Sequence, residues 1–297
     1  MRVAVLGERG GWHVERLDAA LRRRGHAVDV ISWRSVAAAV ATAGPRIEPP
    51  PLAKADVVAV RGMPGLGEES SRLEEVIFRM DAVAQLAAGG TPVVNPPRAL
   101  EIAIDKYLSL AILARAGIAV PRTIVVQSAA SARRAWEELG GDCVAKPLFG
   151  SRGRGVVRLT DADAAGASVS TGLAYVQEFV PHAGWDFRVL VVGDEAFAMR
   201  RVAEPGEWRT NVSLGGRPAP AVPPAEVIAM ARRAAAAVGA RIAGVDVLPA
   251  ADGPVVLEVN AVPAWRGLQT VTAADVTEAV AGELERAGTA GGNACPD

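Results

Sequence analysis

The stretch Gly244-Val-Asp-Val-Leu-Pro-Ala-Ala-Asp-Gly-Pro-Val-Val-Leu-Glu-Val-Asn260 sets two apolar runs on either side of Asp252-Gly253. Asp-Gly between apolar runs is a hairpin signal. A hairpin centred on Asp252 brings Asp246 opposite Glu258, and the two-residue side-chain period puts Asn260 on the same face. Two carboxylates facing each other across a ladder repel, so a cation must compensate them. Hard oxygen donors in this number suit Mg2+, which takes one or two carboxylates, waters and substrate phosphates. The plainer reading is a solvent-facing strand that carries two acids and an amide. It leaves unexplained why all three share one face of otherwise apolar strands.

About a hundred residues upstream, Val144-Ala-Lys-Pro-Leu-Phe-Gly-Ser-Arg-Gly-Arg-Gly-Val156 places a lysine inside an apolar run, followed at once by a Gly-rich turn. A strand lysine is costly without a partner. A turn built on Gly150, Ser151, Gly153 and Gly155 can lay its backbone N–H groups over phosphates while Lys146 adds a point charge. The order, lysine then loop, excludes a Walker A motif. Taken alone, the segment reads equally well as an edge strand with a solvent-seeking lysine and an ordinary hairpin. Three further groups share this ambiguity: Asp105-Lys106 near a helix start, Gln177-Glu178-Phe179-Val180 followed by Asp186-Phe187-Arg188, and Arg209-Thr210-Asn211 ahead of Gly215-Gly216. An acid at a helix start suits the helix dipole without any ligand. A planar arginine fork can hold carboxylate or phosphate, and a plain polar loop is the alternative.

Working outward, Val3–Leu6, Val28–Ser32 and Val57–Arg61 read as strands, with a helix over Val14–Arg24. Strands alternating with helices predict a small parallel α/β unit. The Ala/Pro-rich stretch before Pro49-Pro50-Pro51 reads as a loop. Helices are predicted over Glu69–Ala88, Leu100–Ala116, Ala130–Leu139 and Val222–Val238, and strands over Pro121–Gln127, Asp142–Leu148, Val156–Leu159 and Tyr175–Val180. Asp186–Val192 and Glu195–Val202 flank Gly193-Asp194 as a hairpin.

The 297 residues carry 32 basic and 33 acidic side chains, so no global basic excess points to nucleic acid. Half the chain is hydrophobic, enough for a substantial core, yet no uncharged apolar run reaches the roughly 20 residues of a membrane span. Two cysteines make no disulfide framework, and the short apolar start Met1–Gly7 is no signal peptide, so the cytoplasm is the expected compartment. His13, His26 and His182 have no metal-ligand spacing and read as incidental.

Taken in order, these groups resemble the ATP-grasp superfamily, and within it the RimK-type α-L-glutamate ligases. The resemblance runs from about Asn95 to Gly267. It implies α/β plus α+β architecture: a pre-ATP-grasp α/β domain over residues 1–95, a small ATP-grasp subdomain with a Gly-rich lid over 96–180, a C-terminal subdomain with the metal site over 181–286, and a mobile tail over 287–297. By resemblance, Lys106 and Lys146 hold the ATP phosphates under the loop Gly150–Gly155. Gln177, Glu178, Phe179, Val180 and Asp186 belong to the nucleotide site, with Glu178 and the backbone around Val180 receiving adenine and ribose. Asp246, Glu258 and Asn260 coordinate two Mg2+ ions, or Mn2+ in their place, and Arg188, Arg209 and Asn211 lie near the transferred phosphoryl group.

One departure stands out. Where relatives commonly run Ala-Ser-Pro-Gly after the last ligand, this chain has Ala261-Val-Pro-Ala-Trp-Arg-Gly267. Trp265 and Arg266 are therefore expected to line the acceptor site and to stack on a planar anion, such as a pterin- or furan-type one-carbon carrier. The expected partners are small-molecule substrates, with neither nucleic acid nor membrane; relatives form dimers or tetramers, so a homo-oligomer is compatible. Three competing readings keep the scaffold: glutamylation of a protein or carrier-protein terminus, a kinase of small alcohols, and a nucleotide-binding regulator without turnover.

Overall fold

The computed structural model describes residues 1–62, 73–150, 153–169 and 172–292. The chain opens with β1 (Arg2–Leu6) and β2 (Ala27–Ile31), joined by the helix Trp12–Arg23. Val14, Leu17 and Leu21 of that helix are buried against the sheet, the period of an amphipathic helix. A hairpin of β3 (Ala37–Ala41) and β4 (Gly44–Glu48) follows, then β5 (Val57–Val60) and β6 (Val93–Val94). The first sheet has the order β2-β1-β5-β6 and is parallel throughout. The hairpin replaces the loop read from the Ala/Pro-rich sequence. Alanine and proline are poor strand formers, but Gly44 at φ +111° closes a tight turn that zips Ala37 to Glu48.

The second sheet holds β7 (Thr123–Val126), β8 (Cys143–Lys146), β9 (Val157–Leu159) and β10 (Ala174–Glu178) in the order β7-β10-β8-β9, antiparallel. The third runs β13-β12-β11-β14-β15, from β11 (Trp185–Val192), β12 (Glu195–Val202), β13 (Arg217–Pro220), β14 (Ile242–Ala250) and β15 (Gly253–Asn260). A parallel α/β layer joined to two antiparallel sheets is the α/β plus α+β architecture that the resemblance implies.

Two further expectations are corrected. The single helix over Leu100–Ala116 is two helices, Pro97–Ile104 and Lys106–Arg115. Asp105 is extended, and its carboxylate accepts from the Leu108 N–H at 2.9 Å, so it stops one helix and caps the next. The tail expected over 287–297 is helical as far as residue 292. The last helix runs Val276–Gly292, because Val276, Val280, Leu284 and Ala287 recur at helical spacing and are all buried. Residues 293–297 lie outside the described residues.

Buried Asn95 ties the first sheet to the third. Its amide donates to the carbonyls of Ile242 (2.6 Å) and Ala261 (2.5 Å) and accepts from the N–H groups of Arg241 (2.8 Å) and Ile242 (3.0 Å). All four of its hydrogen-bonding positions are used.

Candidate active site

Asp246 does face Glu258, by a route the centred hairpin does not contain. The turn is Ala251-Asp252, between paired Ala250 and Gly253. A regular ladder from there would set Asp246 against Leu257. A register shift after Val247 leaves Leu257 as the extra residue and restores Asp246 opposite Glu258 and Gly244 opposite Asn260.

The compensating cations are arginines. Arg188 Nη1 lies 2.5 Å from Asp246 Oδ1 and Arg201 Nη2 2.8 Å from Asp246 Oδ2. Arg201 also forks onto Asp186, with Nε at 2.8 Å from Oδ1 and Nη2 on Oδ2, and Thr210 Oγ1 donates to Asp186 Oδ2 at 2.8 Å. All five side chains are buried. Burial opposes charge on Arg201, but Asp246 and Asp186 overcome it and hold the guanidinium above its ordinary pKa. Burial likewise works against the Asp246 carboxylate, and Arg188 with Arg201 reverses the sign and holds it low. Gly244 is small for a reason: a Cβ there would stand 2.5 Å from Arg188 Nη2.

Lys146 rises from β8 on the opposite sheet. Its Nζ donates to Gln177 Oε1 at 2.6 Å, and the Gln177 amide N donates to Thr123 Oγ1 (2.9 Å) and Tyr175 Oη (3.1 Å). Gln177 is buried, so this chain of contacts fixes where the lysine points. Burial pulls Lys146 down to about 8, against the pull of Glu258. Lys106, the first residue after the Asp105 cap, sends Nζ to the Gly150 carbonyl at 2.6 Å, and burial lowers its pKa too, opposed by Glu258 and Asp105. The Gly-rich loop is gripped from the connection between β12 and β13. A Cβ on Gly153 (φ +70°) would fall 2.5 Å from Asn211 Oδ1, and Arg209 Nη1 donates to the Val156 carbonyl at 3.3 Å. Arg209 is meanwhile forked onto Glu207, with Nη2 at 2.7 Å from Oε2.

Most of these groups line one open cleft between the second and third sheets. Its walls include Lys106, Lys146, Gly150, Gly153, Asp246 and Glu258. One end carries Gln177, Glu178, Phe179 and Val180, with Asp186, Arg209 and Asn211 across from them. Phe179 and Trp208 meet edge to face with centroids 5.6 Å apart and planes 79° apart, an apolar corner. The Glu178 carboxylate is already held by Arg122, at 2.8 Å from its N–H and 2.6 Å from its Nε.

Other predicted residues fall elsewhere. Arg188 lies behind Asp246 and does not line the cleft, nor do Gly155 or Asn260, whose Oδ1 accepts from the Val262 N–H at 2.8 Å. Asp246 and Glu258 are thus the hard donors that face the cleft and suit a divalent cation. Ser151 lies outside the described residues. The stacking role expected of Trp265 is corrected: its side chain is 0% exposed, its indole N–H donates to Thr277 Oγ1 at 3.1 Å, and Arg61 covers its face at 4.3 Å. Arg266 is exposed. His13, read as incidental, accepts from the N–H groups of Trp265 (2.9 Å) and Arg266 (3.2 Å) and pins this loop.

Arg201 and Trp208 carry no role in the sequence reading, and Thr210 enters it only within the Arg209-Thr210-Asn211 stretch. A signal for Arg201 exists: a hairpin about Gly193-Asp194 pairs Asp186 with Arg201, as observed.

The architecture and this cleft define an ATP-grasp enzyme. The model of the RimK-like ATP-grasp domain matches residues 103–284. The tetrahydromethanopterin:α-L-glutamate ligase of Methanosarcina acetivorans is 32% identical, over 86% of this chain and 90% of its own. A probable α-L-glutamate ligase of Serratia proteamaculans is 33% identical over 98% of both chains. Among solved structures, the ATP-grasp ligase PsnB, complexed with a phosphomimetic variant of its minimal precursor, Mg and ADP, superposes with a TM-score of 0.76 at 26% identity, covering 96% of this chain and 98% of PsnB. A RimK-domain ATP-grasp protein of Sphaerobacter thermophilus gives 0.72 at 27% identity, covering 96% and 99%. The chain belongs to the RimK-like ATP-grasp family, and with it to the ligases that form C–N bonds. Among the described residues no helix is long and apolar enough to cross a membrane.

Proposed function

We propose that this ligase uses ATP and Mg2+ to join L-glutamate to an acceptor carboxylate through an acyl phosphate, and that the acceptor is a small anionic cofactor of the pterin or furan one-carbon type. The observation that carries the reading is the facing of Lys106 and Lys146 against Asp246 and Glu258 across one cleft. The donor and the acceptor class rest on the named activity of the Methanosarcina relative.

A carboxylate is a poor acyl donor because oxide is a poor leaving group. In this reading an acceptor carboxylate oxygen attacks the γ-phosphorus of ATP and ADP departs. The glutamate amine then attacks the acyl carbon, loses a proton and expels inorganic phosphate, leaving an amide. Lys146, aimed by Gln177, and Lys106, aimed by its helix start, hold phosphate oxygens. Arg201, anchored by Asp186, presents positive charge where the phosphoryl group moves, with Arg188 behind it and Arg209 and Asn211 steadying the loop. Such fixed charges act most strongly in a water-poor cleft. Two Mg2+ ions on Asp246 and Glu258, or Mn2+ in their place, would supply charge neutralisation at the β- and γ-phosphates; Asn260 would join them by releasing Val262. The apolar corner of Phe179 and Trp208 receives the adenine ring, beside Glu178 and Val180. The loop Gly150–Gly155 closes over the phosphates and keeps water from the acyl phosphate. No side-chain nucleophile takes part: burial pushes the Cys143 thiol up to about 11, so it keeps its proton.

A peptide acceptor is the second reading, favoured by the likeness to PsnB bound to its precursor. One experiment separates the two. Labelled L-glutamate, ATP and Mg2+ are added to a desalted extract recombined with its small-molecule fraction, with Lys146→Ala as control. ATP-dependent label in a small molecule supports the cofactor ligase, and its mass identifies the acceptor. Label in protein moves the reading to a peptide acceptor. No label above the control removes glutamate as the donor.

A further inference from the structure

We propose that Arg61 and Arg266 form a carboxylate-binding recess, at the edge of the first sheet beside the loop that follows the metal ligands, which holds a non-reacting substrate carboxylate. The inference rests on the glutamate-ligase reading and adds a subsite to it.

Arg61 follows β5 directly, at its carboxyl end. In the first sheet β2 lies on one side of β1 and β5 on the other, so the β1/β5 boundary is the point where the strand order reverses. Ligands of open parallel sheets gather outside the carboxyl ends at that point. Gly7 ends β1 there, and a Cβ on it would stand 2.8 Å from Val14 Cγ2 and 3.4 Å from Arg61 Cβ. The small residue keeps the arginine stem in place.

Among the described residues Arg61 is a cation without a counter-charge. Its Nη2 donates to the Pro263 carbonyl at 2.8 Å, its guanidinium lies over Trp265, and its Nε is buried with no partner. That Nε is the single unpartnered buried side-chain nitrogen or oxygen among the described residues. No acidic side chain of those residues pairs with the group, in contrast to Arg188 and Arg201. Among the described residues, the charges that meet at His13 beside it are positive. Arg266 is exposed beside it, and His13 between them is held neutral, pulled down to about 4 by burial and by the charges of Arg61 and Arg266. Burial of one guanidinium beside another is unfavourable unless an anion completes the set. The chemistry that completes it is a planar carboxylate, which an arginine recognises by its own planar fork. Pro263 and Trp265 lie three and five residues past Asn260, so the recess opens on the loop that follows the strand carrying Glu258. Trp265 thus acts from beneath, as the platform for Arg61.

A substrate carboxylate can come from the incoming glutamate or from the glutamyl end of an acceptor. Calorimetry on the full chain with ADP and Mg2+ separates them, using L-glutamate for the first and N-acetyl-L-glutamate, whose amine is blocked, for the second. Arg61→Met keeps the stem and removes the charge; Arg266→Ala, at an exposed position, guards against a folding defect in the first. The expected result is that one probe binds at least tenfold more weakly to Arg61→Met and about threefold more weakly to Arg266→Ala, with ADP affinity unchanged. The probe affected names the source. Equal binding of both probes to the wild type and the two variants overturns the recess and leaves the ligase reading standing. A wild type that binds ADP but neither probe overturns both.

Discussion

Arg201 Nη2 lies 2.8 Å from Asp246 Oδ2 while the same guanidinium forks onto Asp186. The acid that faces the cleft is therefore held through an arginine by a second buried acid one strand away. A buried guanidinium tolerates this position because two carboxylates surround it. Removing one of them leaves charge without compensation.

Asp186→Asn tests that dependence. The amide keeps the shape and loses the charge, so stability should fall by about 3–5 kcal/mol. Denaturant unfolding measures it. Asp186→Asn with Arg201→Met together should recover part of the loss, because the uncompensated charge is then gone.

Lys146 gives a pH dependence. Its pKa in the folded chain is about 8, and only the ammonium form attracts phosphate. ADP affinity should be level below pH 8 and fall about tenfold per pH unit above it, as for loss of one proton. Lys146→Met should lower ADP affinity at pH 7 and abolish that slope. A wild-type affinity flat to pH 10 would contradict the assignment.

Gly244→Ala probes the space under Arg188. The added methyl meets Nη2 at 2.5 Å and Cζ at 2.6 Å, so the guanidinium must leave Asp246. The Asp246 carboxyl then titrates at higher pH than in the wild type, which carboxyl NMR detects. Catalytic rate should fall with it, at near-native ADP affinity if Lys106 and Lys146 carry the phosphates.

His13 makes a prediction for the loop that follows Asn260. In the folded chain it titrates near 4, below its unfolded value of about 6.5. Between these values the unfolded chain binds the extra proton, so stability rises with pH across that window. His13→Gln retains an acceptor for the N–H groups of Trp265 and Arg266 and should flatten this part of the stability–pH curve. Equal slopes for wild type and variant would exclude His13 as the titrating group.

Much of the site was legible because its residues sit in elements with a strict period. The Asp246–Glu258 pairing follows from a hairpin, and the lysine before the Gly-rich loop follows from one strand. The pairing nevertheless depends on the extra residue Leu257, which no turn rule foresees; the centred hairpin reached the same pair by a different geometry. Residues whose roles arise from cross-strand packing were harder to find. Arg201 follows from the Gly193-Asp194 hairpin only once Asp186 is asked for a partner. Arg61 gives no local signal, since its lack of an acidic partner among the described residues depends on which acids the fold keeps away. Trp265 was placed by its size and flatness, but burial decides its role, and burial is a property of the assembled helices and sheets. The break at Asp105 was hidden by a continuous apolar pattern on both sides of a capping acid.

The measurement closest to the central claim follows one oxygen atom. The acceptor recovered from the labelling experiment is prepared with 18O in its carboxylates and incubated with the enzyme, ATP, Mg2+ and L-glutamate. Activation as an acyl phosphate predicts that each turnover moves one 18O from the acceptor carboxylate into inorganic phosphate. Amide formation with unlabelled phosphate would contradict it.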